Sequence, residues 1–298
     1  MAGIGVEFMK ESDLVSKASQ GSRRALARLL TMIQQGDKES IDSVLSISPV
    51  PSIGITGPPG VGKSCLTDCL AKLFADRGER IGVLCIDPSS PITGGSLLGD
   101  RMRMEQSGVH DMIYIRSVAT RTSHSSIPLR LKAMISALSL AGMDRVLVET
   151  VGVGQTEIGI VSMTDLVLLV DGPDRGDIVQ AEKAGLLELA DVVVVNKGDL
   201  PGSEQAALNI RSGLTLGPAS SVPVMVVSAL NRTGIDELVD TLESIQSRPS
   251  VGIVKWRHRL SSAIVDELVS RPSFESAVSD LVAGRVSIEQ AIQEVIRE

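Results

Sequence analysis

The sequence predicts an α/β protein built on a mostly parallel, doubly wound sheet, with helical extensions at both ends of the chain. Three observations carry that expectation. Seven short apolar runs between Ser52 and Gln246 alternate with amphipathic stretches, most of them ten residues or longer. A glycine-rich loop separates the first run from the helical pattern that follows it, and the residues before Pro51 and after Val251 show helical periodicity alone. Runs that are apolar on both faces suit strands covered by helices on both sides, and their alternation with helices is the rhythm of a parallel sheet.

Three units follow: a helical N-terminal extension over 1–51, an α/β domain over 52–246 and a helical C-terminal extension over 247–298. In the first, Leu26, Leu29, Leu30 and Ile33 recur at helix spacing after an N-cap at Ser22, with Gly36 as the stop. In the second, the strands are read as Ile53 to Thr56, Ile81 to Ile86, Met112 to Ile115, Val146 to Val148, Leu166 to Val170, Val192 to Val195 and Val224 to Val227. In the third, Ser287-Ile288-Glu289-Gln290 forms a capping box, after which Ile288, Ala291, Ile292, Val295 and Ile296 share one helix face. That face must be buried, either on the chain's own core or in a dimer.

Composition removes several functions. The chain of 298 residues carries 29 Lys and Arg against 36 Asp and Glu, a formal charge of -7, so no global positive field exists to hold a nucleic-acid backbone or an anionic membrane. One Trp, one Tyr and three Phe leave no aromatic platform for base stacking. No stretch approaches the ~20 apolar residues of a membrane span, and Met1 to Leu14 lack an apolar leader, so a cytoplasmic location is expected. Cys65, Cys69 and Cys85 read as small core residues in a reducing compartment.

The strongest motif is Gly57-Pro58-Pro59-Gly60-Val61-Gly62-Lys63-Ser64, a G-x-x-x-x-G-K-[ST] loop between a strand and a helix. Its glycines let successive N–H groups and the helix N-terminus face phosphates. Lys63 is placed to meet the β and γ phosphates and Ser64 to ligate Mg²⁺, with the nucleotide-binding set running on to Cys65. Asn196-Lys197-Gly198-Asp199 follows the sixth strand, and this N-K-x-D points to guanine. The Asp199 carboxylate can accept from guanine N1–H and the exocyclic amine, the Lys197 stem can cover the ring, and Asn196 can brace the loop. Ser228-Ala229-Leu230, after the seventh strand, would supply a backbone N–H to guanine O6. Glu149-Thr150-Val151-Gly152 ends the fourth strand as an acidic residue three before a glycine, where a carboxylate holds Mg²⁺ and the Gly152 N–H contacts the γ-phosphate. Val153 stands where a water-orienting glutamine would be useful, so intrinsic hydrolysis is expected to be slow. Asp87 and Asp100 are two further carboxylates, in a segment rich in glycine and proline, for metal or switch duty.

Asp87 to Met104, Glu149-Thr-Val-Gly-Val-Gly-Gln155 and Glu188-Leu-Ala-Asp-Val-Val-Val-Val-Asn-Lys-Gly-Asp199 resemble the signature stretches of the methylmalonyl-CoA mutase-associated GTPases, the MeaB or ArgK type. These belong to the SIMIBI class of P-loop GTPases and are also labelled LAO/AO transport ATPases. The similarity covers about Ser52 to Leu238, while the helical ends match in style only. The resemblance implies a P-loop GTPase domain with helical extensions, usually a homodimer, that uses GTP and Mg²⁺. It implies a chaperone for a B12-dependent acyl-CoA mutase, gating delivery of adenosylcobalamin, which the mutase binds, and removal of inactivated cofactor. A cobalamin adenosyltransferase joins the expected partners. By the same resemblance Asp87 to Met104 is switch I and Glu149 to Gln155 switch II. Gly176 to Gly185 is a third switch with Asp177, Gln180 and Lys183, and Arg103 is an ion-pair partner for Asp177. The catalytic set is then Lys63, Asp87, Glu149 and Lys183, with Lys183 swinging toward the phosphates when the mutase engages; the metal set is Ser64, Asp87, Asp100 and Glu149. Ala184 and Glu182 depart from the pattern beside Lys183, and the chain ends early for the family.

Competing readings are a P-loop kinase or ATPase, a metal-insertion GTPase and a non-catalytic GTP-sensing scaffold. The guanine-directed Asp199 argues against the first. Metal-insertion proteins usually display Cys or His clusters, whereas His110, His124 and His258 are dispersed. No residue of the sequence reads the acyl group, so methylmalonyl-, isobutyryl-, ethylmalonyl- and hydroxyisobutyryl-CoA mutases stand as equal candidates for the partner.

Overall fold

A computed structural model describes residues 11–88, 110–120, 127–150, 159, 162–173, 186, 187, 189–214, 220–245, 249–269 and 271–297. In chain order the helices are α1 (Glu11–Ser19), α2 (Arg23–Gln35), α3 (Lys38–Leu45), α4 (Lys63–Asp76), α5 (Ile127–Leu140), α6 (Ser203–Leu214), α7 (Ile235–Ser244), α8 (Pro249–Val269), α9 (Pro272–Val282) and α10 (Ile288–Arg297). The strands are β1 (Ser52–Thr56), β2 (Ile81–Pro88), β3 (Ile113–Thr120), β4 (Arg145–Thr150), β5 (Leu166–Asp171), β6 (Val192–Val195) and β7 (Val224–Val226). They form one seven-stranded sheet in the order β3-β2-β4-β1-β5-β6-β7, with every pairing parallel. None of the described helices is long and apolar enough to cross a membrane.

Both faces of the sheet are covered, and alternate residues go to opposite sides. Val83, Cys85, Leu147, Leu168, Val170, Val192 and Val194 pack under α4 and α7 with Leu66, Leu70, Phe74 and Leu238. Their neighbours Leu84, Ile86, Val146 and Val148 face α1, α2, α3 and α5, while Val167, Leu169, Val193 and Val195 face α6. The N-terminal helices therefore share a core with the sheet. Ser22 caps α2 by accepting from the Ala25 N–H at 3.3 Å, and Gly36 ends the helix at φ +85.

β3 runs five residues past the Ile115 expected from sequence, and Arg116 in that extension is held at the sheet edge. The Arg116 guanidinium donates to Thr31 Oγ1 at 3.0 Å and to Gln34 Oε1 at 2.9 Å on α2. Cys85 is buried, but Cys65 is exposed and Cys69 only half-buried, correcting the expectation of three core thiols. Cys65 precedes Leu66 on α4 and so lies one residue off the face that carries Leu66 and Leu70 inward.

The capping box at α10 is present: Ser287 N–H donates to Gln290 Oε1 at 2.8 Å and Gln290 N–H to Ser287 Oγ at 3.3 Å. The apolar face of that helix is divided. Ala291 and Val295 are buried with Ala277 against Leu268, Phe274 and Leu281, while Ile288, Ile292 and Ile296 stay exposed.

Candidate functional site

In an all-parallel sheet every strand delivers its carboxyl end to the same edge, where ligands of doubly wound folds bind. Here that edge collects the loops after β1, β6 and β7 and the last residues of β2, β4 and β5. β1 lies between β4 and β5, so the phosphate-loop motif leaves the sheet from its interior.

Backbone geometry builds the loop. Gly57 has φ +142, and a Cβ there would lie 1.9 Å from the Val170 carbonyl oxygen, so no other residue fits against β5. Gly62, at φ +89, opens α4, and a Cβ there would meet Asn196 Nδ2 at 2.6 Å. The buried Lys63 ammonium donates to the carbonyls of Gly57 at 2.7 Å and Pro58 at 2.9 Å, folding the loop around the cation. Pro59 and Gly60 are exposed at its tip, Val61 is buried beneath, and Cys65 sits at the outer rim of the first turn.

Ser64, next along α4, donates its hydroxyl to Glu149 Oε1 at 2.6 Å. Glu149 is 3% exposed near the end of β4 and is brought to the helix start from 85 residues away. A hydroxyl and a carboxylate side by side at a phosphate loop are the hard oxygen donors that suit Mg²⁺. Beneath them Thr150 Oγ1 donates to Thr56 Oγ1 at 3.1 Å, joining the ends of β4 and β1. Asp87 occupies the carboxyl end of β2 at the same sheet edge. Asp100, Arg103, Gly152, Gln155, Asp177, Gln180 and Lys183 lie outside the described residues.

The loops after β6 and β7 are interlocked. Asn196 is buried; its Nδ2 donates to Val61 O at 2.9 Å and Gly62 O at 3.3 Å, and its Oδ1 accepts from the Ala229 N–H at 3.0 Å. Within Ser228 to Leu230, the stretch expected to supply a backbone N–H to guanine O6, the Ala229 N–H is thus engaged by Asn196 and the Ser228 N–H donates to Thr233 O at 3.0 Å. Asp199 accepts from Ser228 Oγ at 2.5 Å, which orients the carboxylate, and Asn231 N–H donates to Ser228 Oγ at 3.2 Å. Lys197 takes φ +61, rare for a residue with a side chain, while Gly198 N–H donates to Val227 O at 2.8 Å. Leu230 stands out at 78% exposed.

Two further residues, Asp171 and Cys69, support the loops at this edge. Asp171, buried at the end of β5, accepts from the Gly172 N–H at 2.9 Å through its carboxylate and from the Asn196 N–H at 2.8 Å through its carbonyl. Cys69 Sγ donates to Ala229 O at 3.2 Å, and burial pushes its thiol up to about 11, so it acts as a neutral donor beneath the loop. A carboxylate directly after an apolar strand could have flagged Asp171; the pairing of Cys69 with a loop 160 residues away could not be read locally.

This edge brings the glycine-rich loop, with Lys63 and Ser64, next to the loops that carry Asn196, Asp199 and Ser228. A solved LAO/AO transport system kinase superposes with a TM-score of 0.65 over 96% of both chains at 20% identity, which speaks to the fold. Over 241 residues the chain is 40% identical to a Pyrococcus abyssi protein provisionally named a GTPase, covering 78% of this chain and 74% of that one. Over 194 residues it is 43% identical to a fused isobutyryl-CoA mutase of Cupriavidus metallidurans, covering 62% of this chain and 18% of the mutase. The model of the methylmalonyl-CoA mutase-associated GTPase MeaB matches residues 26–274, from α2 across the whole sheet into α9, and the chain belongs to that family of P-loop GTPases.

Proposed function

We propose that the chain is a GTP-binding and GTP-hydrolysing chaperone, acting in the cytoplasm, that gates adenosylcobalamin loading and protects or reactivates a B12-dependent acyl-CoA mutase of the methylmalonyl-CoA mutase type. One observation carries the mutase assignment: related sequence is part of the same polypeptide as the mutase in the fused isobutyryl-CoA mutases of Cupriavidus metallidurans and Nocardia farcinica. A separate chain of the same family can serve the same enzyme as a subunit.

The residues divide the work. Lys63 and the N–H groups of Gly57 to Cys65 would hold the phosphates. Asp199 would read guanine, the Lys197 stem would lie on the purine face, and the Ser228 to Leu230 backbone would meet O6. Ser64, Glu149, Asp87 and Asp100 would hold Mg²⁺, which supplies charge neutralisation at the β and γ phosphates. Gly152 would contact the γ-phosphate. With Val153 in place of a glutamine, the site needs a further cation at the γ-phosphate, and Lys183 of the third switch, with Asp177, Gln180 and Arg103, would provide it on mutase contact. The exposed faces of α8 and α10 support a homodimer, and a cobalamin adenosyltransferase would deliver the cofactor.

GTP turnover measured with and without candidate mutases tests this reading. The cognate mutase should accelerate turnover by at least about tenfold, a threshold set well below the ~10³–10⁵ that a supplied arginine gives other phosphoryl-transfer sites, and Lys183→Ala should abolish the acceleration. Activation that survives Lys183→Ala would remove that residue's role, and equal affinity for GTP and ATP would overturn the guanine assignment.

A further inference from the structure

Two of the three thiols lie together at the rim of the phosphate loop. Cys65 is exposed at the third position of α4, and Cys69 follows one turn on, half-buried. Residues four apart stand over one another on a helix, and here the two thiols are in hydrogen-bonding contact. Cys69 Sγ also donates to Ala229 O at 3.2 Å, so its single proton serves either that carbonyl or the Cys65 sulfur. Cys85 is buried on β2 and takes no part.

The spacing decides what chemistry the pair can do. Neighbours one helical turn apart keep their Cβ atoms about 5–6 Å apart, whereas a disulfide needs about 3.5–4.5 Å. An S–S bond would therefore unwind α4 where it opens at the phosphate loop. A cation seated between the sulfurs spans a longer distance and leaves the helix intact. Sulfur is a soft donor and selects soft cations, in contrast to the hard oxygens of Ser64 and Glu149 nearby. Zn²⁺ takes four ligands, and among the described residues no group of three or more His, Cys, Asp and Glu is assembled to hold a metal. Two thiols in contact suit a cation that is satisfied by two sulfurs, and Cu(I) is the common one.

We infer that Cys65 and Cys69 form a dithiol site for a soft, two-coordinate cation of the Cu(I) kind, and that filling this site weakens the binding of guanine nucleotide. Two S–Cu bonds form and both thiol protons leave to solvent, with no change of oxidation state. The bis-thiolate unit carries one negative charge, which Arg232 favours and Asp68 opposes. Cys69 thereby loses the proton it gives to Ala229 O, and a sulfur lone pair faces the carbonyl instead. Ala229 is the residue whose N–H donates to Asn196 Oδ1, and Asn196 Nδ2 donates in turn to Val61 O and Gly62 O. The disturbance enters where the base loop and the phosphate loop join. This coupling rests on the proposed guanine site, and linkage makes it reciprocal: bound nucleotide lowers the affinity for the ion by the same factor.

The test titrates full-length wild type, Cys65→Ser, Cys69→Ser and Cys85→Ser with Cu(I) in the absence of oxygen, with glutathione present as a competing thiol and a chromogenic Cu(I) chelator to count bound copper. Each protein is confirmed as folded by its thermal transition, and its affinity for fluorescent GDP is measured with and without the ion. Wild type and Cys85→Ser should take up one Cu(I) per chain, and their GDP affinity should fall on loading by about two- to tenfold, the range set by one hydrogen bond. Cys65→Ser and Cys69→Ser should each lose the ion and its effect, although Cys69→Ser keeps a hydroxyl that can donate to Ala229 O. If Cys69→Ser does not fold, the exposed position Cys65 carries the same expectation. A wild type that holds no stoichiometric copper, copper retained by either of these serine variants, or a GDP affinity indifferent to the loaded ion overturns the inference while leaving the function standing. A wild type that binds no guanine nucleotide overturns the function and the coupling with it, while the copper count still decides the site.

Discussion

α2 and α10 are both short amphipathic helices closed by a serine N-cap, yet they dispose of their apolar sides differently. Leu26, Leu29, Leu30 and Ile33 of α2 are at most 1% exposed, whereas Ile288, Ile292 and Ile296 of α10 are 50–60% exposed. The first belongs to the core cluster that runs under β2 and β4; the second belongs to a small cluster with α9 and turns the remainder outward. The same sequence pattern therefore serves two ends. An amphipathic stripe says that a surface has to be covered, and only tertiary structure says by what.

The comparison can be broken most directly at Leu30. Leu30→Ala should lower the unfolding free energy by about 2–5 kcal/mol, as for other fully buried leucines; a denaturant titration showing a loss below about 1 kcal/mol would mean that the N-terminal layer is not part of the cooperative core. The caps should separate next. Ser22→Ala should cost about 1 kcal/mol in the global transition, while Ser287→Ala should leave that transition in place and lower hydrogen-exchange protection within α10 alone. The smallest stability effect belongs to the outward isoleucines. Ile292→Ser combined with Ile296→Ser should change monomer stability by no more than about 0.5 kcal/mol but abolish self-association in sedimentation; a dimer that persists would move the interface elsewhere, to the Trp256 side of α8.

Much of the central sheet was legible because β-branched runs such as Val192 to Val195 admit no other arrangement once both faces are covered. The far half of β3 is not legible in the same way, because an edge strand tolerates Arg116 and Ser117, which interrupt the apolar run. The phosphate loop and Asn196-Lys197-x-Asp199 were legible as well, since their residues are contiguous and their order is fixed by backbone geometry. What escaped sequence reading is the support beneath them. Thr56 with Thr150, Asp165 with Ser52, and Lys255 with Asp191 are single polar residues separated by 64 or more positions, and nothing local distinguishes them from solvated side chains.

Asn196 holds the phosphate loop through Val61 and Gly62 and the base loop through Ala229, so the two loops close as one jaw. Under the proposed function, a ligand carrying both guanine and a phosphate chain meets the second half of that jaw at high effective concentration once the first half is seated. Guanosine or pyrophosphate alone gains only its own half. Preference for the intact nucleotide over its fragments then resides in the connection between the loops, and one buried amide side chain supplies it.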